Sequence, residues 1–185
     1  MKLFLLAAWE IFEVVLIGVV TVFFVRNFLA QPFLVSGASM EPNFSSGNYL
    51  LIDEVTYRFR EPERGEVAVF RYPENPSVYY IKRMVGLPLE RVVIKGGEVK
   101  IYNDKNPQGF VLNESYLSVN LKTAGDLDVI IPKDEYFVLG DNRNYSYDSR
   151  SWGFVPKKDI VGIVRLRLLP INEAKVFTSF GLVGQ

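Results

Sequence analysis

The sequence predicts a mainly β protein built from antiparallel strands, with an inserted β subdomain and one N-terminal transmembrane helix. Three observations predict this fold class. An apolar run opens the chain, and short segments rich in β-branched and aromatic residues then alternate with turn residues. Aromatic residues make up 14% of the 185-residue chain, which suits strands better than disorder.

The opening segment is long enough to cross a membrane. It is apolar from Leu3 to Val25 except for two glutamates, and as a helix it reaches about 34 Å against a hydrocarbon core of about 30 Å. A glutamate near the bilayer centre is costly. A second placement, Ile11 to Leu29, therefore leaves Glu10 among the headgroups and lets Arg26 extend to the far interface. Either placement predicts a membrane anchor over residues 1–31.

Three other interpretations of this segment compete with the anchor. A cleavable signal peptide would use Ser36 and Ala38 at its cleavage site, but the apolar run ends too far upstream of them. Its length disfavours a buried core helix, and the lack of a cationic face disfavours an interfacial helix. The charge bias that orients a single span is weak, since Lys2 and the α-amino group at one end face only Arg26 at the other.

Short β segments follow the opening run. Pro32 is expected to end the helix, and the sequence from Phe33 onward is typical of β-strands. The sequence RVVIKGGEVKIY predicts a hairpin that turns at Gly96 and Gly97, because a two-residue turn requires positive φ angles. The predicted strands are Tyr49–Asp53, Glu66–Arg71, Val78–Val85, Arg91–Lys95, Glu98–Tyr102, Val129–Ile131, Tyr136–Leu139 and Ile160–Leu168.

The strand-rich part is predicted to divide into a core with an insertion. Residues 86–134 are richer in Gly, Asn and Lys and are expected to form a β subdomain. They separate two parts of the core, 32–85 and 135–170, and residues 171–185 form a C-terminal tail.

The composition excludes several kinds of site. The chain has no histidine and no cysteine, so it cannot form a Ser-His-Asp triad, a cysteine nucleophile, a disulfide or a zinc site with His and Cys ligands. If it is a hydrolase, its base is Lys, Asp, Glu or Tyr. The 21 basic and 21 acidic side chains are scattered without a basic block. The sequence therefore does not predict a positively charged surface that would bind nucleic acid.

Three segments could carry chemistry. In VSGASMEP, small residues on both sides of Ser39 let a substrate backbone approach its hydroxyl. In VYYIKRMVGLP, Lys82 lies in an otherwise apolar strand, where burial lowers the pKa of lysine and lets it act as a base, whereas Arg83 stays protonated. An edge-strand lysine is the plainer interpretation. The polar loop GDNRNYSYDSRSWG, residues 140–153, suits a hydrogen-bonded scaffold that orients a site.

Together these segments resemble type I signal peptidases (leader peptidases), the membrane-bound Ser/Lys proteases that remove signal peptides. In that family SGxSMxP carries the nucleophile, YYIKRxxGLP carries the base and GDNRxxSxDSRxxG closes the site, and each can be read here. The resemblance extends from the anchor to about Pro170, and the third motif is the most specific. It implies a catalytic domain made of a coiled antiparallel β-sheet.

The resemblance also implies roles for individual residues. Ser39 would be the nucleophile and Lys82 the general base. Ser146 would hydrogen-bond the Lys82 amine and orient it. Asp148 and Arg150 would form a structural ion pair behind the site.

Two further features follow from the resemblance. Asp141 is expected to pair with Arg83 on the opposite side of the lysine strand. Some family members carry a serine where this chain has Gly37, so the oxyanion hole here would depend on backbone N–H groups, with that of Ser39 pointing into it. The positions implied for the oxyanion hole and substrate binding are Gly37, Ala38, Ser39 and Met40.

The implied reaction proceeds through an acyl-enzyme, with neutral Lys82 as the proton acceptor from Ser39. The expected substrate is a preprotein segment with small residues at −1 and −3, laid beside a strand. The partners are signal-peptide-bearing preproteins and the lipid bilayer; no cofactor, metal ion or nucleic acid is expected. The expected location is the plasma membrane, with a single span and the catalytic domain on the extracytoplasmic side.

Two other functions stay open. A self-cleaving protein of the LexA type shares an SGxSM segment and a distant strand lysine, but it would carry a DNA-binding domain in place of the anchor and lack the third motif. A membrane-tethered β domain that only binds a partner is the alternative from a different class. A penicillin-binding or β-lactamase-like acylase is set aside, because Ser39 is followed by Met-Glu-Pro rather than by x-x-Lys.

Overall fold

Antiparallel strands make up most of the computed structural model, which describes residues 2–28, 30–119 and 121–177. The mainly β prediction is confirmed. The strands are β1 (Ala30–Leu34), β2 (Tyr49–Asp53), β3 (Val67–Tyr72), β4 (Asn75–Gly86), β5 (Arg91–Lys95), β6 (Glu98–Asn103), β7 (Asn106–Val111), β8 (Leu127–Ile130), β9 (Glu135–Leu139), β10 (Val155–Pro156), β11 (Ile160–Leu169) and β12 (Lys175–Val176). The helices are α1 (Lys2–Phe28), α2 (Thr56–Phe59) and α3 (Ser149–Trp152), and 3-10 turns cover Lys157–Asp159 and Ile171–Glu173.

The N-terminal segment forms the single helix α1. The side chains described on it, at positions 9–23, are exposed, including the large apolar residues Ile11, Val14 and Val22. This exposure argues against a buried core helix. Among the residues that the structure describes, no helix is both long and apolar enough to cross a bilayer. The predicted anchor, 1–31, includes Met1 and Leu29, which lie outside the described residues.

The prediction that Pro32 ends the helix was wrong. Helix α1 ends at Phe28, and Pro32 lies inside β1, opposite Leu51 of β2. Strand β1 is at the edge of its sheet, where a residue without an N–H can be accommodated because one side of the strand needs no ladder hydrogen bond.

Two sheets organise the chain. The larger has the order β1-β2-β11-β3-β4-β9-β10, with β12 paired to β11, and the smaller has the order β7-β6-β5-β8. The strands of the smaller sheet all come between β4 and β9 in sequence. All strand pairs among the described residues are antiparallel. The predicted tail, 171–185, is described only to residue 177, and β12 lies within it.

The predicted strands are all present, with ends shifted by a few residues at most. The Gly-Gly hairpin is confirmed: Lys95 pairs with Glu98, and Gly96 and Gly97 have φ angles of +61° and +90°. The sequence did not predict β1, β7, β10 or β12. The first two contain proline, which weakens a strand pattern, and the last two are two residues long.

The two sheets share one core cluster. Val85 of β4 and Phe137 of β9 pack with Val92 and Ile94 of β5, all of them buried. At Gly86 the backbone of β4 passes so close to β5 that an added Cβ would lie 2.7 Å from the Val92 side chain. This cluster joins the smaller sheet to β4, which carries Lys82, and to β9, which leads into the polar loop.

Candidate active site

Ser39 lies on a turn between β1 and β2. Backbone hydrogen bonds close the base of this loop, from Val35 N–H to Asn48 O at 2.9 Å and from Gly47 N–H to Val35 O at 2.9 Å. Met40, directly after Ser39, is fully buried, and burial of such a side chain contributes about 2 kcal/mol. The turn that carries the half-buried Ser39 is therefore held in place.

Gly37 has a backbone conformation that glycine favours, with φ at +97°. A Cβ built there would meet no atom within 4 Å. A serine at this position would thus be disfavoured by the backbone angle and not by lack of space. Ala38 is exposed beside it.

Lys82 reaches the turn from β4. Its partner in register is Ala68 on β3, and it is 4% exposed. The Nζ atom donates to Ser39 Oγ at 2.8 Å and to Ile81 O at 3.1 Å. The first distance is within the range that proton transfer between a nucleophile and its base requires. Because β4 lies between β3 and β9, the interpretation of Lys82 as an edge-strand lysine was wrong.

Burial also changes the acidity of this amine. It lowers the pKa of Lys82 from 10.5 to about 8, because removal from water disfavours the charged form. The carboxylates of Asp148 and Asp141 act in the opposite sense and raise the pKa. The result is an amine that can lose its proton close to neutral pH.

The structure brings Arg83 and Asp141 together next to the lysine. Arg83 Nε donates to Oδ1 of Asp141 at 2.8 Å, and Nη2 donates to Oδ2 at 2.5 Å. The third contact runs from Nη1 to Gly65 O at 2.8 Å. Both charged groups are buried, and Asp141 is fully so. This pairing ties the lysine strand to the start of the polar loop.

Asp148 and Arg150 also meet, at the other end of the loop. Arg150 Nε donates to Asp148 Oδ1 at 2.8 Å and Nη2 to Oδ2 at 2.9 Å. The fully buried carboxylate accepts a further bond from Gly140 N–H at 3.0 Å and caps α3 through Arg150 N–H. Since Arg150 also donates to Arg143 O at 2.7 Å, the ion pair closes the loop on itself.

Ser146 does not make the hydrogen bond predicted for it. In the described part of the chain its Oγ is buried and has no hydrogen-bond partner, whereas Lys82 Nζ donates to Ser39 and Ile81. Ser146 packs closely against Gly140, since a Cβ built there would lie 2.1 Å from Ser146 Oγ and 2.4 Å from Ser39 O. Only glycine leaves room for both oxygens.

Two asparagines without a predicted role hold the nucleophile turn. Asn142 Nδ2 donates to Ala38 O at 3.0 Å, and its N–H donates to Ser39 O at 3.0 Å. Asn43 Nδ2 donates to Asp141 Oδ2 at 2.9 Å. Both belong to or adjoin the singled-out motifs, but their side-chain partners are distant in sequence, and no local pattern identifies them.

A cleft of about 340 Å³ opens in front of Ser39 and Lys82. Apolar side chains of β1 and two tyrosines of the polar loop are among the residues that line it. The lining residues are Phe33, Leu34, Val35, Ser36, Gly37, Ala38, Ser39, Leu50, Val69, Tyr79, Tyr80, Ile81, Lys82, Tyr145 and Tyr147. Within the described residues, no group of three or more Asp and Glu side chains is placed to hold a metal ion.

Comparison with known proteins assigns the chain to a family. The family model described as signal peptidase, peptidase S26, matches residues 8–169, a range that includes Ser39, Lys82 and the polar loop. The chain belongs to the signal peptidase family. As a member it is a peptidase, and therefore a hydrolase.

Two relatives, each 34% identical to this chain, agree with this membership. Probable signal peptidase I-2 of Synechocystis sp. is 34% identical over 176 residues, covering 92% of this chain and 77% of the relative. Signal peptidase I P of Bacillus subtilis subsp. natto is 34% identical over 173 residues, covering 88% and 90%. The crystal structure of a signal peptidase I from Enterococcus faecalis V583 is 31% identical, covers 56% of this chain and 97% of its own, and has a TM-score of 0.47.

Proposed function

We propose that the chain is a membrane-bound serine endopeptidase that removes N-terminal signal peptides from exported preproteins through a Ser39–Lys82 dyad. The observation that carries the proposal is the 2.8 Å hydrogen bond from a buried lysine to a serine at the wall of a cleft. Membership of the signal peptidase family supports the substrate class. Neither the LexA-type alternative nor the binding-domain alternative is favoured by any of the matches.

The dyad accounts for every proton in the reaction. Neutral Lys82 takes the proton of the Ser39 hydroxyl while Oγ attacks the scissile carbonyl carbon. The C–N bond then breaks, Lys82 gives its proton to the leaving amine, and an ester remains on Ser39. In deacylation Lys82 takes a proton from water, whose oxygen attacks the ester carbonyl. The proton returns to Ser39 as the carboxyl product leaves.

Backbone groups supply the oxyanion hole in this proposal. The N–H of Ser39 lies on the turn that Met40 and Asn142 hold in place, and fixed donors stabilise developing charge without reorganisation. Gly37 adds no hydroxyl, so the charge depends on backbone donors. Asp148 with Arg150, and Asp141 with Arg83, act as supports that fix the loop and the lysine strand.

The substrate is proposed to bind as an extended segment along the cleft. Strand β1 is an edge strand, so its outer side can pair with a peptide main chain. Val35 and Ile81 line the cleft near Ser39 and offer shallow apolar surface. Small residues at −1 and −3, as in Ala-x-Ala, fit such a surface.

Membrane anchoring through α1 belongs to the same proposal. The helix has 27 residues, about 40 Å at 1.5 Å each, and its described apolar side chains are exposed. A single span with the catalytic domain on the extracytoplasmic side of the plasma membrane would confine enzyme and substrate to one surface. After alkaline carbonate extraction the chain should stay with the membranes; release into the supernatant would contradict the anchor.

We further propose the division into an anchor (1–31), a catalytic core (32–85 and 135–170), an inserted subdomain (86–134) and a tail (171–185). The separate sheet β5–β8 supports the insertion. Hydrogen exchange that protects the two sheets as distinct cooperative units would support this division, and one merged unit would count against it.

The pH dependence of cleavage should report the state of Lys82. Only the neutral amine accepts a proton, and its pKa is about 8. Activity should therefore rise about tenfold per pH unit below pH 8 and level off above it. The measurement is kcat/KM for one preprotein between about pH 6 and pH 9.5. A profile that is flat from pH 6 to pH 8 would contradict Lys82 as the base.

The function itself is tested by one assay. The full chain in detergent or lipid is mixed with a purified preprotein, and the new N-terminus of the product is sequenced. Wild type should cut at the signal-peptide junction in the presence or absence of a chelator. Cleavage of its own chain alone would indicate the LexA-type activity, and binding without cleavage would indicate the non-catalytic domain.

A further inference from the structure

One residue outside the three motifs contacts the side chains that support both members of the dyad. Tyr116 is half-buried in the segment between β7 and β8. Its ring, hydroxyl and main-chain carbonyl each contact a different residue around the site: Arg83, Arg143 and Asn43.

The ring covers the buried ion pair beside the base. The guanidinium carbon of Arg83 lies 4.0 Å from the centroid of the Tyr116 ring, and Arg83 in turn holds Asp141. Stacking on a tyrosine face is favourable for a guanidinium and leaves its edge free for hydrogen bonds. Since Arg83 directly follows Lys82 on β4, the ring fixes the strand at the base.

The hydroxyl of Tyr116 fixes the polar loop. Arg143, which is almost fully buried, donates from Nη2 to this hydroxyl at 3.0 Å and from Nε to Gly140 O at 2.9 Å. The hydroxyl donates to Glu114 Oε1 at 3.0 Å. Burial raises the pKa of Tyr116, so the hydroxyl keeps its proton where the enzyme works.

The main chain of Tyr116 adds the third contact. Asn43 Nδ2 donates both to Tyr116 O at 2.8 Å and to Asp141 Oδ2 at 2.9 Å. Asn142 lies between Asp141 and Arg143, which both belong to this network, and its N–H donates to Ser39 O. Lys82 is therefore adjacent in sequence to Arg83, which the Tyr116 ring contacts. Ser39 is bound by a residue whose two sequence neighbours belong to the same network.

We propose that Tyr116 is a positioning residue of the peptidase reaction. Its ring, through Arg83, holds the lysine strand in the position that keeps Lys82 Nζ within hydrogen-bond distance of Ser39 Oγ. The hydroxyl contributes less, because Arg143 also donates to Glu114. The proposal rests on the proposed function. It is distinct from a stability role, because it requires that loss of the ring lowers the rate of the chemical step.

The chain offers a matched control at Tyr102. Arg91 lies over the Tyr102 ring with its guanidinium carbon 5.3 Å from the centroid, in the smaller sheet, and Tyr102 does not line the cleft at Ser39 and Lys82. A Tyr102→Leu variant loses the same kind of contact without touching the candidate site.

The experiment compares Tyr116→Leu, Tyr116→Phe and Tyr102→Leu in the full chain, by steady-state cleavage of one preprotein. In Tyr116→Leu we expect kcat to fall about 100-fold, the cost of a small misplacement of reacting groups, with KM within about threefold of wild type because the residue is absent from the cleft. Tyr116→Phe keeps the ring and should recover most of the rate. Tyr102→Leu should match wild type.

Each other outcome is decisive. Equal kcat in Tyr116→Leu and wild type would overturn the inference, and so would equal losses in Tyr116→Leu and Tyr102→Leu. A Phe variant as slow as the Leu variant would also overturn it, because the ring is argued to act on the base strand. If wild type itself fails to cleave the preprotein, the proposed function is at fault.

Discussion

Ser39→Ala and Lys82→Ala are each expected to abolish preprotein cleavage. In the proposed mechanism the first change removes the oxygen that attacks the scissile carbonyl, and the second removes the acceptor of its proton, which lies 2.8 Å away. Groups that act as a unit lose most of the rate when either is removed, by a factor on the order of 10⁴ or more. Lys82→Arg should fail as well, since a guanidinium stays protonated. Cleavage is measured by release of the mature chain.

Matched variants separate this loss from unfolding. Ser46→Ala changes an exposed serine of the same loop, and Lys95→Met changes an exposed lysine on β5. Both should cleave at the wild-type rate. Appreciable cleavage by Ser39→Ala or Lys82→Ala would refute the dyad.

Burial of the Lys82 amine should also lower the free energy of unfolding at pH 7. Its pKa is lowered from 10.5 to about 8, which corresponds to about 3 kcal/mol lost from the folded state at pH 7. A Lys82→Met variant keeps the volume of the side chain and removes the charge. It is therefore expected to be inactive yet no less stable than wild type at pH 7. The difference should shrink as pH rises from 8 to above 10.5, where wild-type Lys82 becomes neutral in both states.

Local patterns were sufficient for part of the fold and part of the site. Strand alternation and the Gly-Gly turn gave the hairpin, because both depend on neighbouring residues only. The burial of Lys82 was predictable since apolar residues surround it on both faces of its strand. Family resemblance, not periodicity, supplied the two ion pairs around the site.

What the sequence could not provide depends on long-range packing. Pro32 argues against a strand locally, and only its position at a sheet edge permits one. The resemblance implied a hydrogen bond between Ser146 and the lysine, but within the described residues the buried Ser146 Oγ has no hydrogen-bond partner. Tyr116 lies in a segment without strand or helix periodicity, and its partners Arg83 and Asn43 are brought to it by the fold.

Asp141→Ala is expected to destabilise the protein strongly. The change leaves Arg83 without its carboxylate in a site where both side chains are at most 5% exposed. Removal of one partner of a buried ion pair costs about 3–5 kcal/mol, because the remaining charge keeps its desolvation penalty. Asn43 Nδ2 also loses an acceptor.

The matched control is Asp128→Ala, which breaks a second Arg–Asp pair of the same geometry. Arg91 donates to Asp128 from Nε at 2.7 Å and from Nη2 at 2.5 Å, but these two side chains are 48% and 52% exposed. Water solvates both groups once the pair is broken, so little change in stability is expected. Urea unfolding of both variants in detergent, followed by tryptophan fluorescence, gives the comparison. Equal midpoints for Asp141→Ala and Asp128→Ala would mean that burial adds nothing to the cost of losing the Arg83 partner.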